Sequence, residues 1–237
     1  MDEMQVAILA GGRATRLYPL TRSIPKSLVP VEGTPFARLQ LELLARRGVR
    51  DVVLCVGHLA DQLRRWLGDG RALNLRLAYS DEGERALGTA GALKLAEPLL
   101  RDPFFVLFGD SYLPVDYGAI WAAFQRCAAL GLTVVYRNEG RYDTSDMRVE
   151  GGRVTAYDKA SPAPDMVWIN AGLSLLRKAA LDAIPPGEAA SLHALFGGLI
   201  ARGELLAFET QQRFYEIGSV AGLEEFRQLV RSGGLER

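Results

Sequence analysis

The chain has 237 residues, of which 49% are hydrophobic and 24% are charged, which excludes a disordered or fibrous protein and indicates a globular fold with a buried core. Its 28 Lys and Arg residues balance 28 Asp and Glu residues, so no net charge attracts nucleic acid or an anionic membrane. An anionic ligand must therefore be bound by local charge.

No apolar run approaches the roughly 18 residues that a membrane span requires, and the first residues lack the pattern of a signal peptide. We therefore expect a cytoplasmic protein with neither a membrane nor a nucleic-acid partner. The two cysteines, Cys55 and Cys127, lie in apolar segments and are expected to be buried thiols. The sequence does not indicate an oligomeric state.

The first half of the chain alternates predicted strands and helices. Apolar runs indicate strands at 5–10, 51–57, 73–79 and 104–108, and helical periodicity indicates helices between them at 35–47, 59–67 and 91–100. This alternation predicts parallel neighbouring strands with helices on both faces of the sheet. In such a sheet, ligands bind beyond the carboxyl ends of the strands.

The second half has a more mixed pattern. Gly151 and Gly152 supply the positive φ angles of a two-residue hairpin turn between strands at 147–150 and 153–159. The remaining predicted strands are 133–136, 168–176, 205–210 and 214–217, and the remaining helices are 119–130, 190–202 and 222–231. We expect the tryptophans to be core residues: Trp66, Trp121 and Trp168.

Together these elements predict an α/β fold, specifically a Rossmann-like three-layer α/β/α arrangement. Its central sheet is expected to be mixed but mainly parallel, with a small β-hairpin lobe. Because no segment has the composition of a linker, we expect a single domain over residues 1–237.

The most informative segment is residues 9–30, LAGGRATRLYPLTRSIPKSLVP. It contains no acidic residue and four basic ones, Arg13, Arg16, Arg22 and Lys26. Gly11 and Gly12, directly after a strand, allow successive N–H groups to point at one anion, and the arginines add charge-assisted hydrogen bonds. The segment therefore predicts a phosphate site, with a glycine turn and solvated arginines as the alternative. It fits neither a Walker loop nor the Gly-x-Gly-x-x-Gly fingerprint.

The same segment resembles the sugar-1-phosphate nucleotidyltransferase family through Leu9-Ala10-Gly11-Gly12, Thr15-Arg16-Leu17, Pro19-Leu20-Thr21 and Pro25-Lys26. The resemblance implies that Arg16 and Lys26 are catalytic cations around the α-phosphorus of a nucleoside triphosphate. It also implies that the nucleotide contacts Leu9, Ala10, Gly11, Gly12, Arg13, Ala14 and Thr15. Ala14 stands where many relatives carry glycine, so we expect a different backbone path there.

Two further segments of the first half resemble family motifs. Leu87-Gly88-Thr89-Ala90-Gly91 is similar to the loop that receives the nucleoside, which implies nucleotide contacts at Gly88 and Thr89, although Thr89 could simply cap a helix. Phe108-Gly109-Asp110 resembles the metal-binding strand end. Asp110 is thereby implied as a catalytic residue and as a ligand of Mg²⁺, which prefers carboxylate oxygens.

Three segments of the second half continue the resemblance. Asp158 and Lys159 are similar to an acid–lysine pair that contacts the sugar phosphate, and only four residues of this arginine-rich chain are lysines. Asn170 and Gly172 resemble the strand that lines the sugar pocket, with a buried, hydrogen-bonded asparagine as the alternative. Glu216 stands where the family's second metal ligand is an aspartate.

The resemblance implies transfer of a nucleoside monophosphate from a nucleoside triphosphate to a sugar 1-phosphate, with Mg²⁺ as cofactor. Residues 1–130 would form the nucleotide-binding half and residues 131–237 the sugar-phosphate-binding half. The expected base is guanine, in a product of the GDP-mannose or GDP-heptose type. The alternatives are uridylyl transfer to an amino-sugar 1-phosphate, cytidylyl transfer to a non-sugar alcohol phosphate, and a catalytically silent regulatory paralogue that binds nucleotide sugar.

Overall fold

The computed structural model describes residues 3–142 and 144–235, and strands alternate with helices along its first half. The elements in chain order are β1 (Gln5–Leu9), β2 (Pro30–Val31), β3 (Thr34–Pro35), α1 (Phe36–Arg46), β4 (Asp51–Val56), α2 (Ala60–Leu67), β5 (Arg76–Asp81), α3 (Gly88–Ala96), β6 (Phe104–Phe108), β7 (Ser111–Tyr112) and α4 (Tyr117–Gln125). Short 3₁₀ turns connect several of them.

The second half contributes more strands than helices. Its elements are β8 (Gly131–Arg137), β9 (Met147–Glu150), β10 (Arg153–Tyr157), β11 (Trp168–Leu176), α5 (Leu192–Ala201), β12 (Leu205–Thr210), β13 (Tyr215–Glu216) and α6 (Val220–Arg231). A 3₁₀ helix, Lys178–Ala183, follows β11.

The described residues form a nine-stranded sheet in the order β5-β4-β1-β6-β11-β8-β12-β10-β9. The strands β5, β4, β1 and β6 are all parallel, β11 runs antiparallel to β6 and β8, and β12 is parallel to β8. Only β11 and β10 run against the common direction of these described strands. The mixed, mainly parallel sheet expected from the sequence is therefore confirmed.

Helices cover both faces of this sheet because its central strands are apolar on both sides. One core cluster packs the apolar faces of α1, α2 and α4 against the sheet, and the other packs α3, α5 and the Lys178–Ala183 turn against the opposite face. This arrangement is the predicted three-layer α/β/α fold. A smaller cluster joins α6 to α1 and to the short β7–β13 ladder.

The hairpin forms at the predicted glycine pair. Gly151 and Gly152 have φ angles of 55° and 74°, and Glu150 pairs with Arg153 across the turn, as a two-residue connection between right-twisted strands requires. The hairpin extends the sheet beyond β12 through β10.

Several details differ from the sequence-based expectation, and most are shifts in the ends of elements. The helix predicted at 119–130 is α4, Tyr117–Gln125, because the apolar residues that follow lead into β8. The strand predicted at 73–79 is β5, Arg76–Asp81, because Leu73 ends a 3₁₀ turn. The prediction that Trp66 is a core residue is wrong, because this residue of α2 is 66% exposed. Among the described residues, no helix is long and apolar enough to cross a membrane.

Candidate active site

A cleft of about 1250 Å³ opens at the carboxyl ends of β1, β4, β5 and β6. This is the edge of the sheet at which an open α/β fold binds ligands. The cleft collects most of the nucleotide-site residues predicted from the sequence: Leu9, Ala10, Gly11, Gly12, Arg13, Ala14, Arg16, Lys26, Gly88, Thr89 and Asp110.

The glycine loop is fixed to the sheet where it leaves β1. The Ala10 N–H donates to the Cys55 carbonyl at 2.8 Å, and the Gly109 N–H donates to the Leu9 carbonyl at 2.9 Å. Further along, Ala14 adopts a left-handed conformation with φ 49° and ψ 47°, and the Thr21 hydroxyl donates to its carbonyl at 2.8 Å. Thr15 begins a 3₁₀ turn directly after Ala14 and is not part of the described cleft lining.

Lys26 and Asp110 form an ion pair across the floor of the cleft. Lys26 begins the 3₁₀ turn Lys26–Leu28, Asp110 follows β6, and the Lys26 ammonium donates to Asp110 Oδ2. Both side chains are largely shielded from solvent, with 21% and 14% of their surfaces exposed. An opposite charge in a shielded site interacts more strongly than at the surface, so the two side chains hold each other in place.

Arg16, Asp110 and Glu216 converge on Gly218. A Cβ atom at position 218 would stand 3.1 Å from Asp110 Oδ2, 3.3 Å from Arg16 Nη2 and 3.5 Å from Glu216 Oε1. The β7–β13 ladder creates this corner, because it places Glu216 opposite Ser111, the residue after Asp110. Glycine at 218 leaves the space in which these three charged groups meet.

The two carboxylates at this corner fit a magnesium ion. Mg²⁺ takes oxygen ligands and is usually held by one or two carboxylates together with substrate phosphates. Asp110 and Glu216 supply such a pair beside the basic loop, and both carboxylates approach the position that a side chain at Gly218 would occupy. Glu216 is longer than the aspartate that the family resemblance implies at this position, but its Oε1 atom still lies at the same corner as Asp110.

Gly172 extends this corner toward the second half of the chain. It lies in a bulge of β11 with φ 87°, and a Cβ there would stand only 2.8 Å from the Ser111 hydroxyl. The Gly172 N–H donates to Asn170 Oδ1 at 2.8 Å. The Asn170 side chain thus shapes the bulge that brings the Gly172 backbone next to Ser111.

Asp158 and Lys159 lie away from the wall of the described cleft. The Asp158 carboxylate accepts hydrogen bonds from the Ser161 and Ala160 N–H groups, which lower the pKa of that carboxyl. Lys159 is 65% exposed, and its ammonium lies 3.7 Å from Asp146 Oδ2. These two residues therefore form a separate, more exposed group on the hairpin side.

The small residues of the 87–91 segment serve the protein's own packing. A Cβ at Gly88, where φ is 70°, would stand 2.6 Å from the Ala190 carbonyl oxygen, and the Thr89 hydroxyl accepts from the Leu192 N–H at 2.7 Å. Both Gly88 and Thr89 also line the cleft. The segment therefore joins the nucleotide side of the cleft to the start of α5.

Two buried or half-buried polar residues were missed in the sequence. Glu82 lines the cleft after β5, and its Oε2 atom accepts from the Leu87 N–H at 2.8 Å. Gln40 on α1 is 1% exposed and bonds to the turn that carries Asp110. A single polar residue on the apolar face of α1 was a usable signal for Gln40, whereas Glu82 has no motif of its own.

Cys55 also lies at the base of the cleft. Burial, with a smaller contribution from the Glu82 charge, raises the pKa of the Cys55 thiol to about 12. The thiol is therefore neutral at physiological pH and behaves as a small apolar side chain, as expected from the sequence. Cys127 is only partly buried.

Comparison with known proteins agrees with this geometry. A family model described as nucleotidyl transferase matches residues 5–145, which include β1, the basic loop and Asp110. The chain belongs to this nucleotidyl transferase family. The resemblance to sugar-1-phosphate nucleotidyltransferases seen in the sequence is confirmed by its relatives.

The curated relatives include enzymes whose names specify two different nucleobases, guanine and uracil. The chain is 32% identical over 238 residues to the mannose-1-phosphate guanylyltransferase catalytic subunit beta of Xenopus tropicalis, an alignment that covers 96% of this chain and 66% of that protein. It is 30% identical to the N-acetylmuramate alpha-1-phosphate uridylyltransferase of Neisseria meningitidis serogroup B, covering 96% of this chain and 98% of that protein. The chain therefore spans about two thirds of the first relative and nearly all of the second.

A solved structure has the same fold over almost the whole chain. HddC from Yersinia pseudotuberculosis, crystallised with GMP-PN, superposes with a TM-score of 0.79 at 25% sequence identity, covering 96% of this chain and 99% of that one. The inositol-1-phosphate CTP transferase of T. maritima superposes with a TM-score of 0.81 at 22% identity, which shows a common fold. The Rossmann-like fold expected from the sequence is thus confirmed.

Proposed function

We propose that this protein transfers a nucleoside monophosphate from a nucleoside triphosphate to a sugar 1-phosphate, with guanine as the base. The observation that carries the proposal is the meeting of Arg16, Asp110 and Glu216 at Gly218, beside the Lys26–Asp110 ion pair and the glycine loop. A cleft with cations on one side and Asp110 at its floor, with Glu216 next to Asp110 at the Gly218 corner, suits a polyphosphate that arrives with a divalent metal.

In the proposed reaction, an oxygen of the sugar phosphate attacks the α-phosphorus in line. The new phosphorus–oxygen bond forms as the bond to the β-phosphate bridging oxygen breaks, and pyrophosphate carries away the electron pair. Because the attacking phosphate is already an anion at neutral pH, no general base is required. The protein must instead overcome repulsion between two anions through positioning and charge neutralisation.

Five charged side chains have roles in this scheme: four lie in or beside the cleft, and Lys159 lies on the hairpin side. Arg16 and Lys26 donate to phosphate oxygens on which negative charge accumulates, and Lys159 binds the phosphate of the sugar. Asp110 and Glu216 would hold Mg²⁺, which supplies further neutralisation of the phosphate oxygens when it is bound. The Gly11–Gly12 backbone faces the phosphate chain with its N–H groups.

Glu82 supports guanine as the base. Guanine presents adjacent donors, its N1–H and its 2-amino group, whereas uracil presents one N–H between two carbonyls. A carboxylate accepts hydrogen bonds and donates none, and Glu82, at the wall of the cleft, is therefore a residue that would suit the two donors of guanine. The similarity to a guanylyltransferase and to the HddC structure with GMP-PN supports the same choice.

Uridylyl transfer to an amino-sugar 1-phosphate is the second candidate. It is favoured by the Neisseria uridylyltransferase, whose length this chain covers almost completely. The regulatory alternative has weaker support, because the Lys26–Asp110 pair and the Glu216 corner are both present. The resemblance of Asn170 and Gly172 to a strand that lines a sugar pocket argues against cytidylyl transfer to a non-sugar alcohol phosphate.

A pyrophosphate-release assay tests the proposal. The purified protein is given each common nucleoside triphosphate with Mg²⁺ and a panel of sugar 1-phosphates that includes mannose, heptose and N-acetylmuramate 1-phosphates. We expect release with GTP and mannose or heptose 1-phosphate. Release restricted to UTP establishes the second candidate, and nucleotide-sugar binding without release with any pair establishes the regulatory one.

The variant Glu82→Gln tests the choice of base. The glutamine oxygen can still accept from the Leu87 N–H, so the local fold is retained, but the amide adds a donor that opposes the guanine donors. We expect the ratio of kcat/KM for GTP to that for UTP to fall about 10- to 100-fold, as for loss of a hydrogen bond to a charged group. The control is Glu42→Gln, since Glu42 pairs with Arg38 on α1. An unchanged ratio in Glu82→Gln contradicts the assignment of Glu82.

A further inference from the structure

The turn that carries Asp110 is held by hydrogen bonds to each of its carbonyl groups. The Phe108 and Ser111 carbonyls accept from Gln40 Nε2 at 2.8 and 2.6 Å, and the Gly109 carbonyl accepts from the Ser27 hydroxyl at 2.9 Å. The Asp110 carbonyl accepts from the Ile217 N–H at 2.9 Å. Four consecutive residues are thus fixed by three separate segments of the chain.

Gln40 provides two of these bonds from inside the core. It lies on α1 among leucines of the buried face and is 1% exposed. Its amide nitrogen carries two hydrogens, and each is directed at a carbonyl on either side of Asp110. A buried amide is costly unless its hydrogen bonds are made, so these two bonds account for a polar residue at this position.

A second buried glutamine shows what such a bond does elsewhere in the fold. Gln5, 6% exposed, donates to the Leu99 carbonyl at 3.1 Å and accepts from the Arg101 N–H at 2.6 Å. It lies at the amino end of β1, whereas the cleft lies at the carboxyl end. Gln5 therefore ties the start of β1 to the segment at residues 99–101 without reaching the charged corner.

We propose that Gln40 is a positioning residue that aims the Asp110 carboxylate at Lys26 and at the space beside Glu216. The inference rests on the proposed function, because it assigns Gln40 to the metal- and phosphate-binding corner of that same site. Groups that orient a metal ligand from behind commonly change metal affinity about 10- to 100-fold when they are removed. Loss of the amide removes two of the four hydrogen bonds that hold the turn, which allows the Asp110 carboxylate to turn away from the corner.

The test compares Gln40→Met with Gln5→Met. Both replacements keep the length of the side chain and remove an amide that bonds to two backbone groups, so both are expected to lower the melting temperature. The readout is Mn²⁺ binding measured by electron paramagnetic resonance in the presence of GTP and without an acceptor sugar, so that no turnover is required. We expect the Mn²⁺ dissociation constant to rise at least about tenfold in Gln40→Met and to be unchanged in Gln5→Met.

Kinetics provide a second readout. In Gln40→Met, raising the Mg²⁺ concentration should restore most of kcat, because the defect is in holding the metal ligand, whereas a general folding defect is not restored in this way. If Gln40→Met does not fold, Ser27→Ala removes the bond to the Gly109 carbonyl alone and should weaken Mn²⁺ binding in the same direction.

Three outcomes overturn the proposal: wild-type Mn²⁺ affinity in Gln40→Met, equal loss of affinity in both glutamine variants, or no Mn²⁺ binding by the wild-type protein with GTP. If the Gln40→Met variant does not fold, a wild-type Mn²⁺ affinity in the Ser27→Ala variant also overturns the proposal. The proposed function fails separately, if pyrophosphate is not released although the Mn²⁺ affinities differ as expected.

Discussion

The two halves of the molecule prepare their parts of the site in different ways. In residues 3–130, the basic loop, Lys26 and Asp110 lie in one cleft and are held by hydrogen bonds from β4, β6 and α1. In residues 131–142 and 144–235, the predicted site residues are divided: Gly172 of the sugar-phosphate set and the metal-ligand candidate Glu216 reach the Asp110 corner, while Asp158 and Lys159 lie on the exposed hairpin side.

This difference separates the chemistry from the choice of acceptor. The first half presents charges that are fixed before any ligand binds, as electrostatic catalysis requires. The second half presents an exposed lysine whose position a substrate can still change. We therefore expect variants of the first half to affect catalysis and nucleotide binding, and variants of Lys159 to affect the sugar phosphate alone.

The largest expected effect is that of Asp110→Asn. The amide keeps the shape of the side chain but removes the negative charge that pairs with Lys26 and that would bind Mg²⁺. We expect kcat to fall at least about 100-fold, the scale found when one preorganised electrostatic group is lost. Steady-state pyrophosphate release measures it, with Asp182→Asn, a change at an exposed aspartate, as the control. Near wild-type turnover in purified Asp110→Asn would remove Asp110 from the mechanism.

Gly12→Ala tests whether the glycine loop receives a ligand. Nothing in the described structure lies within 4 Å of a Cβ at Gly12, so the folded protein accommodates the methyl group and the melting temperature should not change. A methyl group pressed against bound phosphate costs about 1–3 kcal/mol, and we expect KM for the nucleoside triphosphate to rise about 10- to 100-fold. An unchanged KM would mean that the phosphates bind elsewhere.

Lys159→Met addresses the second half. Because Lys159 is 65% exposed, its charge is partly screened, and we expect KM for the sugar 1-phosphate to rise only about fivefold with no change in KM for the nucleotide. Lys178→Met is the control, since the backbone N–H of Lys178 bonds to Asp102 at the opposite edge of the sheet. A rise in KM for the nucleotide instead would contradict the prediction that the second half acts on the sugar phosphate alone.

The smallest expected effect is that of Ala14→Gly. Ala14 has φ 49°, a conformation that costs an alanine about 1–2 kcal/mol, and glycine relieves this cost while adding freedom to the unfolded chain. We expect the free energy of unfolding to rise by about 0.5–1 kcal/mol and kcat to stay within twofold. Chemical denaturation measures the first quantity; a loss of stability would mean that the alanine methyl contributes packing.

The sequence predicted the fold better than it predicted the site. Strands such as β6, β9, β11 and β12 were predicted residue for residue, because each is a short apolar or alternating run between turn residues. The cleft in the first half followed from the basic loop and from the position of Asp110 after β6.

The features that could not be predicted from the sequence depend on contacts between segments that are distant in the chain. The 87–91 segment resembles a loop that receives a nucleoside, yet Gly88 is also required by the Ala190 carbonyl, about a hundred residues away in the chain. Trp66 fits an apolar helical pattern, but it remains 66% exposed among the described residues, which only the tertiary arrangement reveals. The bonds of Gln40 to the Asp110 turn are likewise absent from any local pattern.

The strand β11 comes late in the sequence but lies in the middle of the sheet, and this has a consequence for the synthesis of the protein. This strand, at residues 168–176, occupies the middle of the sheet between β6 and β8. A nascent chain that has emerged only as far as residue 145 holds every part of the basic loop, yet β6 then ends the sheet with an unpaired edge, which invites aggregation. Gly218 emerges later still, so the charged corner exists only after the segment that carries Glu216 and Gly218 has been translated.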